Sequence, residues 1–158
     1  MAEISEAIRR QVEALNTRYI RAIDDDKTEE WPKLFTDPCF YRIVTRENYD
    51  RNMPLSLIEC ASRGMLEDRV TGYRRVNVYE PQRYTHMLSG LVIAPLDATH
   101  VKCLQNYLVV RTMVTGEMMI FSAGVYVDRV VLGVEAQFEE RIVVQESRRV
   151  DTLLVIPL

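Results

Sequence analysis

Residues 100–147 read HVKCLQNYLVVRTMV, TG, EMMIFSAGVYVDRVV, LGV and EAQFEERIVVQES in succession. β-Branched and aromatic residues fill the three long runs, and glycine sits in both short connections. The stretch therefore predicts three antiparallel strands with tight turns at Thr115-Gly116 and Leu132-Gly133. Each run far exceeds the usual strand of about 5–6 residues. Strands of that length have to twist or bulge, and Ser122-Ala123-Gly124 supplies a place for a glycine-assisted bend. Counting by twos along the middle run puts Met119, Phe121, Ala123, Val125 and Val127 on one face. The opposite face is not plainly wet, because Met118, Ile120 and Tyr126 are interleaved there with Ser122 and Asp128. The first run shows the same doubling, with Leu104, Leu108 and Val110 on one side and Tyr107, Val109 and Met113 on the other. A sheet that is apolar on both faces is covered on both. The chain's own helices account for one cover and leave the other to be found.

Upstream of this stretch, residues 3–23 predict an amphipathic helix. Ile4, Ile8, Val12, Leu15, Tyr19 and Ile23 recur at spacings of three or four, which keeps them on one stripe. Asp24-Asp25-Asp26 ends it; acids oppose the dipole at a helix C-terminus, so the run reads as a cap for the next element. Thr28 then reads as the N-cap of a short helix, TEEWPKLF, with Trp31, Leu34 and Phe35 on its apolar side. Thr36-Asp37-Pro38 is a turn, CFYRIVTR a strand, ENYDRNMP a polar loop, and LSLIECA a second short strand hairpinned with the first. Ser62 caps a third helix, RGMLEDRVTGYRR, with Met65, Leu66, Arg69, Val70 and Tyr73 inward. YTHMLSGLVIAP is one more strand, turned at Leu96-Asp97-Ala98, and it leads into the three long ones. Helices first and a four-strand antiparallel meander last predict an α+β fold, a cone-shaped curved antiparallel sheet packed on N-terminal helices. Residues 1–158 are expected to form one domain, a size that buries a real core.

Bulk properties narrow the function. A formal net charge of −3 argues against nucleic acid and anionic membrane as partners. Of the 20 basic residues 17 are arginine, the residue that favours bidentate pairing and interfaces. The cysteines Cys39, Cys60 and Cys103 are scattered and odd in number, which favours a reducing compartment and small buried hydrophobes over a disulfide framework. The N-terminal residues MAEISEAIRR contain no apolar leader core, and no run approaches the roughly 18 apolar residues of a membrane span, so a cytoplasmic location is expected.

The usual motifs of catalysis are missing. GxGxxG, GxxxxGK[ST] and GxSxG do not occur, no cysteine neighbours a histidine, and no two cysteines stand at zinc spacing. With only His86 and His100, a Rieske cluster cannot be built locally, and a non-haem iron triad would consume both histidines. His86, near the start of a strand, reads as a hydrogen-bonded rim residue, with a general base in the cone or a contact to a partner as the sharper readings. His100, next to the Asp97-Ala98 turn, reads as a solvated loop-end residue. If the cone encloses a pocket, Asp24, Asp25 or Asp26 would be its desolvated carboxylate, with Tyr41 and His86 as hydrogen-bonding partners.

Two stretches favour interaction instead. In residues 74–86 Arg74, Arg75 and Arg83 interleave with Tyr79 and Tyr84 ahead of His86, the composition enriched at protein interfaces. The tail ESRRVDTLLVIPL ends in apolar residues that have to be buried in their own fold or against a neighbour, and both options stay open.

Taken in order, EEWPKLFTDPCFYRI, MLEDR, YEPQRYTH, GEMMIFSAGVYVDR, EERIVV and DTLLVIPL resemble the small (β) subunit of aromatic-ring-hydroxylating oxygenases, over nearly the whole chain. The resemblance is nearest to types acting on aromatic acids, such as salicylate and terephthalate oxygenases. It implies the cone fold shared with nuclear transport factor 2, ketosteroid isomerase and scytalone dehydratase, a fold also called SnoaL-like. It further implies a partner large (α) subunit carrying a Rieske [2Fe–2S] cluster and a mononuclear Fe(II), an α3β3 assembly, and electrons delivered indirectly by a reductase or ferredoxin. The small subunit of that arrangement supports assembly, binds no cofactor and has no catalytic residue. Composition nominates Arg74, Arg75, Tyr79, Arg83 and His86, with Arg148, Arg149 and Asp151 in the tail, as subunit contacts. The alternatives are a stand-alone cone-fold isomerase or dehydratase using Asp24, Tyr41 and His86, and a homo-oligomeric binder of a small apolar ligand.

Overall fold

The computed structural model describes residues 4–149, 151 and 154–158. Helix α1 spans Glu6–Asp24, opened by Ser5, whose hydroxyl accepts from the Ile8 N–H. Val12, Leu15, Tyr19 and Ile23 on the predicted stripe are buried, with Ile4 and Ile8 packed at its edge. Of the predicted span, Glu3 lies outside the described residues, as do Val150, Thr152 and Leu153 of the tail.

Six strands form one sheet: β1 (Phe35–Thr45), β2 (Ile58–Cys60), β3 (Gln82–Pro95), β4 (His100–Met113), β5 (Met118–Val131) and β6 (Gln137–Gln145), in spatial order β2-β1-β6-β5-β4-β3. The meander β3-β4-β5-β6 is antiparallel throughout, and β1 pairs with β2 as a hairpin. β1 adds to β6 in parallel, so the sheet is mixed where the pattern predicts an antiparallel one. Strand pairing across the whole chain length is invisible to local periodicity. The sheet stays open, with β2 and β3 as its edges. α1 fills the concave side, its Tyr19 ring meeting Tyr126 and Phe138 of the sheet.

Several local expectations change. Thr28 caps no helix; TEEWPKLF is two 3-10 turns, Thr28–Glu30 and Pro32–Leu34, because Pro32 supplies no N–H to continue a helical ladder. The turn at Thr36-Asp37-Pro38 lies within β1, where the register to β6 shifts between Phe35 and Phe40. ENYDRNMP begins with a short helix, α2 (Arg46–Asp50), because the Thr45 hydroxyl accepts from the Asn48 N–H and acts as N-cap. α3 (Arg63–Thr71) starts at Ser62 as predicted and continues as a wider turn over Gly72–Val76; Leu66, Val70 and Tyr73 are buried, but Met65 faces solvent.

The most consequential change is a bulge at Phe121. Val110 pairs with Ile120 and Val109 with Ser122, so Phe121 is an extra residue and the alternation flips across it. Ser122, Tyr126, Asp128 and Val130 point into the core. Before the bulge, Met118 and Ile120 turn outward instead. Gly124 lies on the inner side, where an added Cβ would come within 1.9 Å of the Val144 carbonyl oxygen. The glycine is therefore required by close backbone approach next to the bend.

Candidate functional site

Building the concave side from its residues shows an apolar interior that carries a buried polar network. Asp128 of β5 and Arg141 of β6 face each other in register. Arg141 donates from Nε and Nη2 to the two Asp128 oxygens at 2.8 and 2.7 Å, and both side chains are fully buried. The same guanidinium donates to Asn16 Oδ1 of α1 at 2.6 Å and stands 4.0–4.2 Å from the ring centroids of Tyr19, Tyr126 and Phe138. Burial pushes the Asp128 carboxyl up, and Arg141 pulls it back. Desolvation works against the Arg141 charge, yet Asp128 holds the guanidinium above its ordinary value. The pair forms a two-bond fork stacked among three rings. Asn16 Nδ2 donates to Gln105, which donates to the Ser89 carbonyl, carrying the network to β3.

Asp24 and His86 meet, as the pocket reading requires. Asp24 Oδ2 accepts from the His86 backbone N–H at 2.8 Å, and Oδ1 lies 2.6 Å from His86 Nδ1. A carboxylate accepts, so Nδ1 carries a proton. Nε2 is buried and has no hydrogen-bond partner among the described residues. Tyr41 does not join them. Its hydroxyl donates to the Leu158 carbonyl at 3.2 Å and accepts from the Leu158 N–H at 3.2 Å. Tyr19 donates to the same carbonyl at 2.5 Å. The last residues of the tail are therefore buried in the chain's own fold, with Ile156 and Leu158 inside the cone.

The nominated contact residues divide. Arg75, Arg83, Arg148 and Arg149 are exposed. Arg74 is occupied: it bonds Asp26 at 2.7 Å and Glu29 at 2.7 Å, and its guanidinium lies 5.1 Å from the Tyr73 ring. Tyr79 stacks on Tyr73 at 5.2 Å, Arg148 pairs with Glu47, and Asp151 accepts from Arg111. The His86 side chain has no exposed surface, which places it out of reach of another subunit. His100 is not a free loop residue: with Thr99 it donates backbone N–H to Asp97 Oδ1 at 2.9 and 2.8 Å, an Asx turn that holds the Asp97 carboxyl below its usual range.

Sequence reasoning missed Arg141, Asp128, Tyr19 and Leu158. A signal existed for the first two, since each shares its strand parity with core residues, Tyr126 and Val143.

No three His, Cys, Asp or Glu side chains among the described residues stand close enough to hold a metal ion. The donor chemistry fits neither iron group: the three thiols are separately buried, burial pushing Cys39 up to about 11 and Cys103 up to about 12, and His86 is committed to Asp24. No described helix is long and apolar enough to cross a membrane.

The convex side is different. Val92, Leu104, Val127 and Ile142 lie in one row across β3, β4, β5 and β6. Val92 and Leu104 are exposed, as are Met118 and Ile120 beyond the bulge. α2 packs over β1 and β6 at one corner, and no described helix covers this row.

This architecture, an N-terminal helix held in the concavity of an open curved sheet, matches the SnoaL-like domain over residues 6–136, and the chain belongs to that family. Within it the chain belongs with the small subunits of aromatic-ring dioxygenases. It is 38% identical over 149 residues to the anthranilate 1,2-dioxygenase small subunit of Burkholderia cepacia, covering 94% of this chain and 92% of that one. It is 36% identical to the terephthalate 1,2-dioxygenase terminal oxygenase component subunit beta 2 of a Comamonas species, covering 94% and 97%. A crystal structure assigned as the beta subunit of an aromatic-ring-hydroxylating dioxygenase from Novosphingobium aromaticivorans superposes with a TM-score of 0.90 at 34% identity, covering 99% of this chain and 100% of that one.

Proposed function

We propose that this chain is the non-catalytic assembly subunit of a terminal oxygenase acting on an aromatic acid, working as a single domain of residues 1–158 in the cytoplasm. One observation carries the reading: near-full-length similarity to small subunits joined to an interior already filled by structure. A catalytic cone has to be hollow, and here Arg141, its three rings and Leu158 occupy the space. In this reading the large subunit holds the Rieske cluster and the mononuclear iron and supplies the redox chemistry, with a reductase or ferredoxin feeding it. This chain's part is to hold a rigid convex face, the Val92–Leu104–Val127–Ile142 row with Met118 and Ile120, against that subunit. Copies of the chain would then share an α3β3 particle. Arg75, Arg83, Arg148 and Arg149 would rim the contact, where exposed charge sets orientation more than affinity.

The test is co-expression with the large chain encoded beside it, recognised by C-x-H and C-x-x-H spacing. The small chain alone should be colourless and iron-free, and should co-purify with the large one. Leu104→Glu should abolish co-purification while leaving the circular dichroism spectrum intact; retention of the complex would move the interface elsewhere. Stoichiometric iron held by this chain alone would overturn the reading. The Asp24–His86 pair favours a second reading, a partner-free isomerase or dehydratase. Turnover without iron that disappears in His86→Ala would install it.

A further inference from the structure

The concave side binds something in this structure, and the occupant is the chain itself. Leu158 is fully buried and Ile156 nearly so. Two tyrosine hydroxyls from different elements, Tyr19 of α1 and Tyr41 of β1, converge on the single Leu158 carbonyl at 2.5 and 3.2 Å. The Leu158 N–H returns a bond to Tyr41. The two tyrosines belong to an aromatic cluster that shares one core with Ile156 and Leu158: Trp31 meets Tyr41 at 5.0 Å, and Tyr19 meets Phe35 at 6.5 Å and Phe138 at 5.6 Å. Burial pushes both phenols up, so both remain donors over the whole working pH range. An apolar cage with a few convergent polar groups is how small-molecule sites are built. Ahead of the occupant, Asp151 pairs with Arg111 and its carbonyl accepts from the Leu154 N–H. No strand or helix continues into residues 154–158.

We propose that residues 154–158 are an intramolecular ligand seated in a separable binding site. The site's chemistry selects a branched aliphatic group next to one carbonyl acceptor. Tyr19 and Tyr41 read the carbonyl, and the rings read the side chain. The inference stands whether or not the chain assembles with a large subunit.

The test uses a variant lacking residues 154–158 and the free pentapeptide Leu-Val-Ile-Pro-Leu as the probe. The shortened chain should melt several degrees below the full chain. The pentapeptide should restore the midpoint in a concentration-dependent way, N-acetyl-leucine should do so more weakly, and a peptide of scrambled order should do nothing. A folded variant whose midpoint neither falls on shortening nor rises with the pentapeptide overturns the proposal. If the shortened chain does not fold, the full chain with Tyr41→Phe decides. Loss of both Tyr41 bonds, including the acceptor of the Leu158 N–H, predicts about tenfold faster exchange of the Leu158 amide, with β4 and β5 amides unchanged. Unchanged exchange at Leu158 would show that Tyr41 does not hold the tail, and would overturn the proposal equally.

Discussion

Arg141 and Asp128 give the sharpest test of how this cone is held together. Asp128→Asn keeps the shape of the side chain and removes its charge, leaving a fully buried guanidinium without a counter-ion. Breaking a buried pair from one side costs about 3–5 kcal/mol, because the orphaned charge keeps its desolvation penalty. Arg141→Met loses the same pairing and also the contacts to three rings, each worth about 0.5–2 kcal/mol when desolvated. Domains of this size are stable by about 5–15 kcal/mol, so either change removes a large part of the total. With a urea slope of about 2 kcal/mol/M, a 4 kcal/mol loss lowers the unfolding midpoint by about 2 M. The pH dependence separates this cause from simple cavity formation. In Arg141→Met nothing opposes the burial that already pushes Asp128 up, so its folded pKa stands above its unfolded value. A raised folded pKa gives stability that is full below the unfolded pKa, about 4, and lost as pH rises toward the folded one. The variant should therefore tolerate more urea at pH 5 than at pH 8, relative to the parent. Replacing both residues, Asp128→Leu with Arg141→Met, should recover most of the loss. A loss under about 1 kcal/mol for Asp128→Asn, or strict additivity in the double variant, would refute the account.

Other expectations rest on single contacts. Gly124→Ala forces a Cβ onto the Val144 carbonyl and the Tyr107 ring, and should cost about 1–3 kcal/mol in thermal unfolding. Ser5→Ala removes the α1 cap and should cost about 1 kcal/mol, seen as faster amide exchange in the first turn. Burial pushes the Cys103 thiol up to about 12 against an ordinary 9.0, so the native thiol should resist Ellman's reagent at pH 8 and react only after unfolding. The same shift contributes stability that is complete below pH about 9 and is lost as pH climbs toward 12, checked by the midpoint of alkaline unfolding.

The long strands, the stripe of α1, the Ser62 cap and the late meander were legible because each is a local pattern of period two or 3.6. What escaped depends on contacts distant in sequence. β1 joins β6 in parallel across about a hundred residues, and no periodicity reports that. The face assignment of β5 failed at one residue: an extra Phe121 reverses the parity, so a count begun at Met119 labels the wrong side beyond the bulge. The Arg141–Asp128 pair escaped because a charged pair keeps a buried place only through a partner on another strand. Of the nominated pocket, Asp24 and His86 were legible as a carboxylate and a histidine needing partners. Tyr41 was not, because its partner is the tail 117 residues away.

The bulge also supports the proposal that the convex side is the working surface. Were Phe121 an ordinary paired residue of the ladder, strand alternation would carry Met118 and Ile120 inward with Ser122 and Tyr126. With the bulge, both turn out, exposed at 65% and 67% beside Val110. An isolated soluble domain gains nothing by exporting two large apolar side chains, since each would contribute about 1.5–3 kcal/mol if buried. The neighbouring row, Lys102, Arg129 and Glu140, is charged, and Arg129 is ion-paired to Glu139, so the apolar strip has a polar border. An apolar centre with a charged rim is the anatomy of a protein interface. The concave side shows the opposite arrangement, with each strong donor and acceptor of the Arg141–Asp128–Asn16 cluster turned to another part of the same chain. In the proposed assembly the cavity serves the chain's own stability and the exposed sheet meets the other subunit.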